Sequence, residues 1–122
     1  PFESMAALMS RAHLLVSTGS PEYEGLPNVL LQAAALKLPI VSLEAGAEWL
    51  QASGAGYCAK GDRDAFIAAI QRGMSHTVSA EFQRYGDAGR CYIETEHDDA
   101  VVSRRFVECL RTVLTKSSGK MP

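Results

Sequence analysis

The residues with the clearest chemical potential lie in one loop and at the start of the helix that follows it. Residues 24–32, with the sequence EGLPNVLLQ, follow a predicted strand and enter a predicted helix. Ligands of open α/β sheets bind outside the carboxyl ends of the strands. The first amides of a helix have no intrahelical partner and carry a partial positive charge. This segment therefore predicts a cradle for a phosphate group.

Three residues of this segment are expected to have different roles in binding a ligand. Gly25 permits a ligand to approach the backbone closely. Glu24 places a carboxylate beside the phosphate cradle, so we expect it to hold sugar hydroxyls rather than the phosphate; the alternative is a solvated loop carboxylate. Gln32 lies about two helical turns further on, on a face next to the helix start. Gln32 is either a ligand contact or an ordinary helix residue.

The elements that must position this segment can be read from hydrophobic periodicity and turn residues. Strands are predicted at residues 14–16, 39–43 and 54–59, and helices at residues 3–12, 27–37, 47–52, 62–73, 79–96 and 99–115. The run Leu14 to Val16 is expected to be buried on both faces, and Asp62 is expected to cap its helix. Alternating strands and helices indicate an α/β fold, a Rossmann-like half-domain with a short parallel sheet flanked by helices. Residues 1–116 form this unit, and residues 117–122 are a polar tail.

Composition narrows the function classes. The 122 residues carry a net charge of −2, with 47% hydrophobic and 21% charged residues, which fits one small globular domain and no nucleic-acid partner. No apolar run reaches the roughly 20 residues of a membrane span. Cys58, Cys91 and Cys109 lack disulfide or zinc spacing and are expected to be small buried residues in a reducing cytoplasm. His13, His76 and His97 are scattered, which favours structural or solvated roles over metal binding.

Three segments taken together resemble a known family. The stretch SPEYEGLPNVLLQA at residues 20–33, LPIVS at residues 38–42 and GAEWL at residues 46–50 resemble the C-terminal domain of retaining GT-B glycosyltransferases of family 4. The family pattern is S-x-x-E-G-L/F-P-N-V-L-L-E-A, then G-x-P-V-V, then G-G-x-x-E. Loop, helix, strand and second loop match in the same order. The resemblance extends weakly over most of the chain.

The resemblance implies roles for the first loop and helix. Glu24, with Gly25, occupies the place that contacts the donor sugar. The backbone amides of Asn28, Val29 and Leu30 would face the diphosphate.

The remaining implied positions depart from the family pattern. Gln32 stands where the family has a ribose-binding Glu. Gly46 and Glu48 fall in the second loop, where Gly46-Ala47 replaces the usual glycine pair. Glu48 is either a second-loop contact or a solvated capping residue of its short helix.

The resemblance also implies an activity: transfer of a sugar from a nucleotide-sugar, with retention, to a saccharide or lipid-linked acceptor. A UDP-sugar is the favoured donor and a GDP-sugar the second choice, with no metal or separate cofactor. The family's diphosphate-clamping segment, G-R-L-x-x-x-K-G, and its acceptor-binding N-terminal domain do not occur in this sequence. The chain is therefore expected to supply part of the donor site and not to turn over alone. The whole enzyme would be cytoplasmic or peripheral to the membrane.

Two other interpretations stay open. The chain could be a non-catalytic binding or assembly module that keeps the fold, or part of a sugar-nucleotide epimerase of similar shape. The first predicted strand would have an open outer edge, which predicts a homodimer or pairing with the missing half of the fold.

Overall fold

The computed structural model describes residues 2–22, 25–75 and 79–119. Its elements are α1 (Phe2–Ser10), β1 (Leu15–Ser17), α2 (Asn28–Ala35), β2 (Ile40–Ser42), α3 (Ala47–Ser53), β3 (Gly56–Cys58), α4 (Arg63–Gly73), α5 (Ala80–Glu96) and α6 (Asp99–Gly119). The three strands form one parallel sheet in the order β1-β2-β3. The predicted α/β half-domain, with a short parallel sheet flanked by helices, is therefore confirmed.

The middle strand organises the core because side chains alternate between its two faces. Ile40 belongs to one buried cluster, which includes Leu30 and Leu50 from α2 and α3. Val41 belongs to the other, which includes Phe66 of α4 and Phe82 of α5. All three residues of β2 are buried.

The first strand differs from its prediction. Val16 is 44% exposed, so the expectation that residues 14–16 are buried on both faces is wrong. The side chain of Val16 faces an open cavity that Gly73 and Phe82 also line. Among the described residues β1 pairs with β2 alone, so it lies at an edge of the sheet, as expected.

Two glycines of α5 let this helix approach the rest of the domain closely. A Cβ at Gly86 would lie 2.5 Å from the carbonyl oxygen of Lys37, just after α2. A Cβ at Gly89 would lie 3.0 Å from the Cβ of Ala55 and 3.2 Å from that of Ala34. Larger residues at these positions would push α5 away from α2 and β3.

The start of α4 agrees with its prediction, whereas the burial of two of the cysteines does not. Asp62 caps α4 as predicted, since its carboxylate accepts a hydrogen bond from the Ala65 amide at 3.1 Å. Cys58 is half-buried, but Cys91 and Cys109 are exposed, so their predicted burial is wrong. Both lie on outward faces of α5 and α6. The last helix continues to Gly119, past its predicted end.

No helix within the described ranges is long and apolar enough to cross a membrane.

Candidate functional site

The carboxyl ends of the three strands meet at one edge of the sheet. Ser17, Ser42 and Cys58 end the strands and lie side by side in the parallel register. The loops that follow β1 and β2 lead into α2 and α3. The structure therefore places both predicted loops at the edge where open α/β sheets bind ligands. Glu24, the predicted sugar contact, lies outside the described residues.

The start of α2 lies at this edge, and within the described part of the chain no side chain caps its first amides. Pro27 is the N-cap residue and has no side-chain group that could cap the helix, and the first turn contains no acidic residue. The Leu30 amide donates a hydrogen bond to the Pro27 carbonyl at 3.1 Å. Because the first amides of a helix lack intrahelical partners, those of Asn28 and Val29 are the ones best placed to meet an anion.

The second loop packs directly against α2. Gly46 has a positive φ of 77°, and a Cβ built on it would lie 2.6 Å from the Leu30 Cδ1 atom. The buried hydroxyl of Ser42 donates to the Ala45 carbonyl at 2.6 Å and holds the loop in place. The Leu50 amide donates to the Gly46 carbonyl at 2.8 Å, which fixes the start of α3. The second loop is thus in contact with the first turn of α2.

Gln32 and Glu48 lie on the two helices that begin at this edge. Gln32 is half-buried in the second turn of α2. Glu48 lies in the first turn of α3, where a carboxylate interacts favourably with the helix dipole. Gly25 is exposed, and apart from its chain neighbours no atom of the described residues lies within 4 Å of the position that a Cβ would occupy there. The predicted ligand roles of these three residues stay predictions.

The loop after β3 adds residues that the sequence did not single out. The Gly61 amide donates to the Leu43 carbonyl at 2.8 Å, so this loop folds against the one after β2. A Cβ at Gly61 would lie 3.2 Å from the Glu44 Oε1 atom. Glu44 is half-buried, while Lys60 is exposed and has a positive φ of 52°. A glycine directly before a helix cap, as in Gly61-Asp62, is the signal that could have indicated this third loop.

The histidines play no part at this edge in the described structure. The Trp49 Nε1–H group donates to the His97 Nε2 atom at 3.1 Å, and Trp49 packs against the core. Trp49 therefore anchors α3, and His97 is structural, as predicted. His13 is exposed, and His76 lies outside the described residues. Among residues 2–22, 25–75 and 79–119, no group of three or more His, Cys, Asp or Glu side chains could hold a metal ion.

The fold and its edge define a class: a Rossmann-like half-domain with a helix start and two further loops at the carboxyl ends of its parallel strands. The family profile described as glycosyl transferases group 1 matches residues 2–76. The match covers more than half of the chain, so the protein belongs to this family, whose role is glycosyl transfer. The matched range includes the whole sheet and all three loops, and it ends before α5. No curated protein and no solved structure matches the chain.

Proposed function

We propose that this chain forms the C-terminal part of the nucleotide-sugar-binding domain of a retaining GT-B glycosyltransferase of family 4. The main observation that supports this proposal is the start of α2. It lies at the carboxyl edge of the sheet, has no capping side chain on Pro27, and has no acidic residue in its first turn. These features leave the amides of Asn28 and Val29 available to a diphosphate.

In the proposed donor site, the sugar and the diphosphate are bound one after the other along the loop before α2 and the first turn of α2. Glu24 and the Gly25 backbone hold the sugar, and the amides of Asn28 and Val29 face the diphosphate. The amide of Leu30 belongs to the same first turn, but it is shared with the Pro27 carbonyl. The second loop, with Gly46 and Glu48, closes one side of the site because Gly46 packs on Leu30.

Gln32 is the proposed ribose contact. The side-chain amide of Gln32 can donate and accept hydrogen bonds, but it cannot form the charge-assisted hydrogen bonds of a carboxylate, which are roughly twice as strong. We therefore propose that this chain binds nucleotide more weakly than a relative with Glu at the same place. Lys60, exposed at the same edge, is an additional source of positive charge for the donor.

The proposed reaction transfers a sugar from a UDP-sugar, or second a GDP-sugar, to a saccharide or lipid-linked acceptor with retention of configuration. The nucleotide-sugar is the substrate, and no metal or cofactor is required. The acceptor would be bound by an N-terminal domain of the family type, in the cytoplasm. This chain by itself supplies part of the donor site only.

A second function is favoured by one specific observation. The sequence has Gln32 in place of a ribose-binding Glu. A non-catalytic binding or assembly module that retains the fold would tolerate this departure.

An amide NMR titration of the chain with UDP, UDP-glucose and GDP-mannose separates the two functions. A donor site predicts shifts concentrated at residues 25–32 and in the second loop. Glu24→Ala should weaken UDP-glucose binding more than UDP binding. Glu22→Ala is the matched control, since Glu22 is exposed in the same loop and carries the same charge. An equal effect of the two substitutions would contradict the sugar-binding role of Glu24.

Gln32→Glu tests the ribose contact. A hydrogen bond to a charged acceptor is worth about 1 kcal/mol more than a neutral one, so UDP affinity should rise roughly fivefold. Unchanged affinity would exclude Gln32 from the ribose site. If millimolar nucleotide produces no shifts in the wild-type chain or in Gln32→Glu, the non-catalytic module is the better description.

A further inference from the structure

A side-chain hydrogen bond joins two parts of the chain that are 48 residues apart. The Trp49 Nε1–H group of α3 donates to the His97 Nε2 atom at 3.1 Å. The Tyr92 ring of α5 packs against both side chains, with ring centroids 6.0 Å from Trp49 and 5.7 Å from His97. Trp49 and His97 are both half-buried. The hydrogen bond therefore lies within a partly desolvated aromatic cluster.

Each partner of this hydrogen bond lies at the end of a helix. Trp49 is in the first turn of α3, directly after the second loop. His97 is the C-cap residue of α5, where its backbone N–H group donates to the Ile93 carbonyl at 3.0 Å. The next helix, α6, begins at Asp99. The hydrogen bond thus ties the start of α3 to the junction between α5 and α6, and any effect of His97 on the second loop is exerted through α3.

The chemistry of imidazole makes this contact sensitive to a proton. A neutral imidazole has one N–H donor and one acceptor nitrogen. Because the His97 Nε2 atom accepts from Trp49, its Nδ1 atom carries the ring hydrogen. A second proton can enter only at Nε2, and the imidazolium that results has donors at both nitrogens. Two donors would then face each other, so protonation of His97 breaks the hydrogen bond.

The surroundings of His97 can accept a positive charge. The carbonyl end of α5 favours a cation at its C-cap position. An Asp98 oxygen accepts from the Ala100 amide at 3.1 Å. The other titratable or charged groups on the three helices next to this contact are Glu48 of α3, Tyr92 of α5, Asp99 of α6, Glu94 of α5, which pairs with Arg90 at 2.7 Å, and Glu96 of α5, which pairs with Arg105 at 2.6 Å. Carboxylates predominate in this set, and the two arginines are each paired with one of them.

We infer that the hydrogen bond between Trp49 and His97 is a pH-sensitive latch. It holds the start of α3, and with it the second loop, while His97 is neutral. It opens when His97 gains a proton, as histidines do between about pH 5 and pH 8. This inference does not rest on the proposed function, because it concerns contacts within the fold and its measurements need no nucleotide.

An NMR titration of the whole chain with acid tests the latch. Trp49 is the only tryptophan of the sequence, so the spectrum contains one indole N–H peak. Because loss of a hydrogen bond shifts such a proton upfield, this peak should move upfield in one step as the pH falls from about 8 to about 5.5. The amide peaks of residues 46–48 should shift with the same midpoint. His13→Gln removes an exposed histidine and should leave both curves unchanged, whereas His97→Gln should abolish the step.

Two substitutions of His97 fix the state of the latch at one pH. The side-chain oxygen of a glutamine can accept from the indole N–H group, whereas a lysine offers donors alone. At about pH 7.5, His97→Lys should therefore place the indole peak and the amide peaks of residues 46–48 near their positions in the acid form of the wild type. The indole proton should also exchange with water several-fold faster in His97→Lys than in His97→Gln.

Three results would overturn the inference. An indole peak that stays in place over the whole pH range would mean that the hydrogen bond does not respond to His97. A step that persists in His97→Gln would assign the titration to another group. A step at the indole with no change at residues 46–48 would show that the contact opens without releasing the second loop. The first and third results come from the wild-type chain, so they decide the question even if a His97 variant fails to fold.

Discussion

Replacing Gly46 by alanine should disturb the second loop and the core at once. Gly46 has a φ of +77°, a conformation that residues with a Cβ rarely adopt. The added Cβ would lie 2.6 Å from the Leu30 Cδ1 atom, well inside van der Waals contact. Leu30 is fully buried, so its side chain cannot move away into solvent. The substitution must therefore strain the backbone, displace Leu30, or shift α3 relative to α2.

The magnitude follows from these two effects. The left-handed conformation costs about 1–2 kcal/mol for a residue with a Cβ. An extra methyl group forced into a packed core costs about 1–3 kcal/mol. Gly46→Ala should therefore lower the free energy of unfolding by about 3 kcal/mol, and the melting temperature by about 10 °C in a domain of this size.

Two other glycines of the same edge serve as controls. Gly61 has a φ of +87°, but a Cβ there would meet only the Glu44 carboxylate at 3.2 Å. That side chain is flexible, so Gly61→Ala should cost only the backbone strain, about 1 kcal/mol. Apart from its chain neighbours, no described residue has an atom within 4 Å of a Cβ added at Gly25, so Gly25→Ala should change stability by less than about 0.5 kcal/mol.

Urea unfolding monitored by circular dichroism measures this series, with the slope m checked for two-state behaviour. The expected order of destabilisation is Gly46→Ala, then Gly61→Ala, then Gly25→Ala. The Leu30 contact would be refuted as a cause if Gly46→Ala and Gly61→Ala had equal effects. An independent check combines Gly46→Ala with Leu30→Ala: removal of the clashing atoms should make the pair less destabilising than the sum of the two single substitutions.

Two further predictions concern α4 and α5. Burial, together with a hydrogen bond to Glu81, raises the pKa of Tyr85 from 10.0 to about 12. The stabilisation that the protonated Tyr85 hydroxyl provides is therefore complete below pH 10 and is lost as the pH rises towards 12. In urea titrations between about pH 9 and about pH 11.5, the free energy of unfolding should fall less steeply with pH in Tyr85→Phe than in the wild type. Parallel curves for the two proteins would contradict the pKa shift. Asp62→Ala removes the cap on the Ala65 amide and should cost about 1 kcal/mol in urea unfolding, whereas Asp62→Ser, which keeps an acceptor oxygen, should stay close to the wild type.

The features that could be predicted from the sequence are those set by neighbouring residues. Asp62 stands directly before an amphipathic run, and the short apolar segment around Val41 is bounded by turn residues. Both signals are local, and the structure confirms the cap and the buried strand. The alternation of such elements was enough to predict the parallel sheet and hence the edge at which the loops meet.

The features that were predicted wrongly depend on distant contacts. Val16 has the residue type of a buried strand, but its exposure is set by whether another element covers it. Cys91 and Cys109 have apolar neighbours in sequence, yet a helix directs neighbouring residues to different faces, and these two face outward. The third loop was missed for the same reason, since the hydrogen bond from the Gly61 amide to the Leu43 carbonyl joins segments that are far apart in the chain.

The second loop of the candidate site is held by contacts that do not involve a ligand. Ser42 bonds to Ala45 within the buried part of the second loop, and Gly46 fits against Leu30. A loss of nucleotide affinity in this chain would therefore not be explained by a collapsed second loop. Gln32 is the position where that chemistry departs from the family pattern, and it lies on α2, whose start these contacts fix. Gln32→Glu changes that chemistry alone, and its effect on UDP affinity thus separates a weakened donor site from a fold that has no donor site.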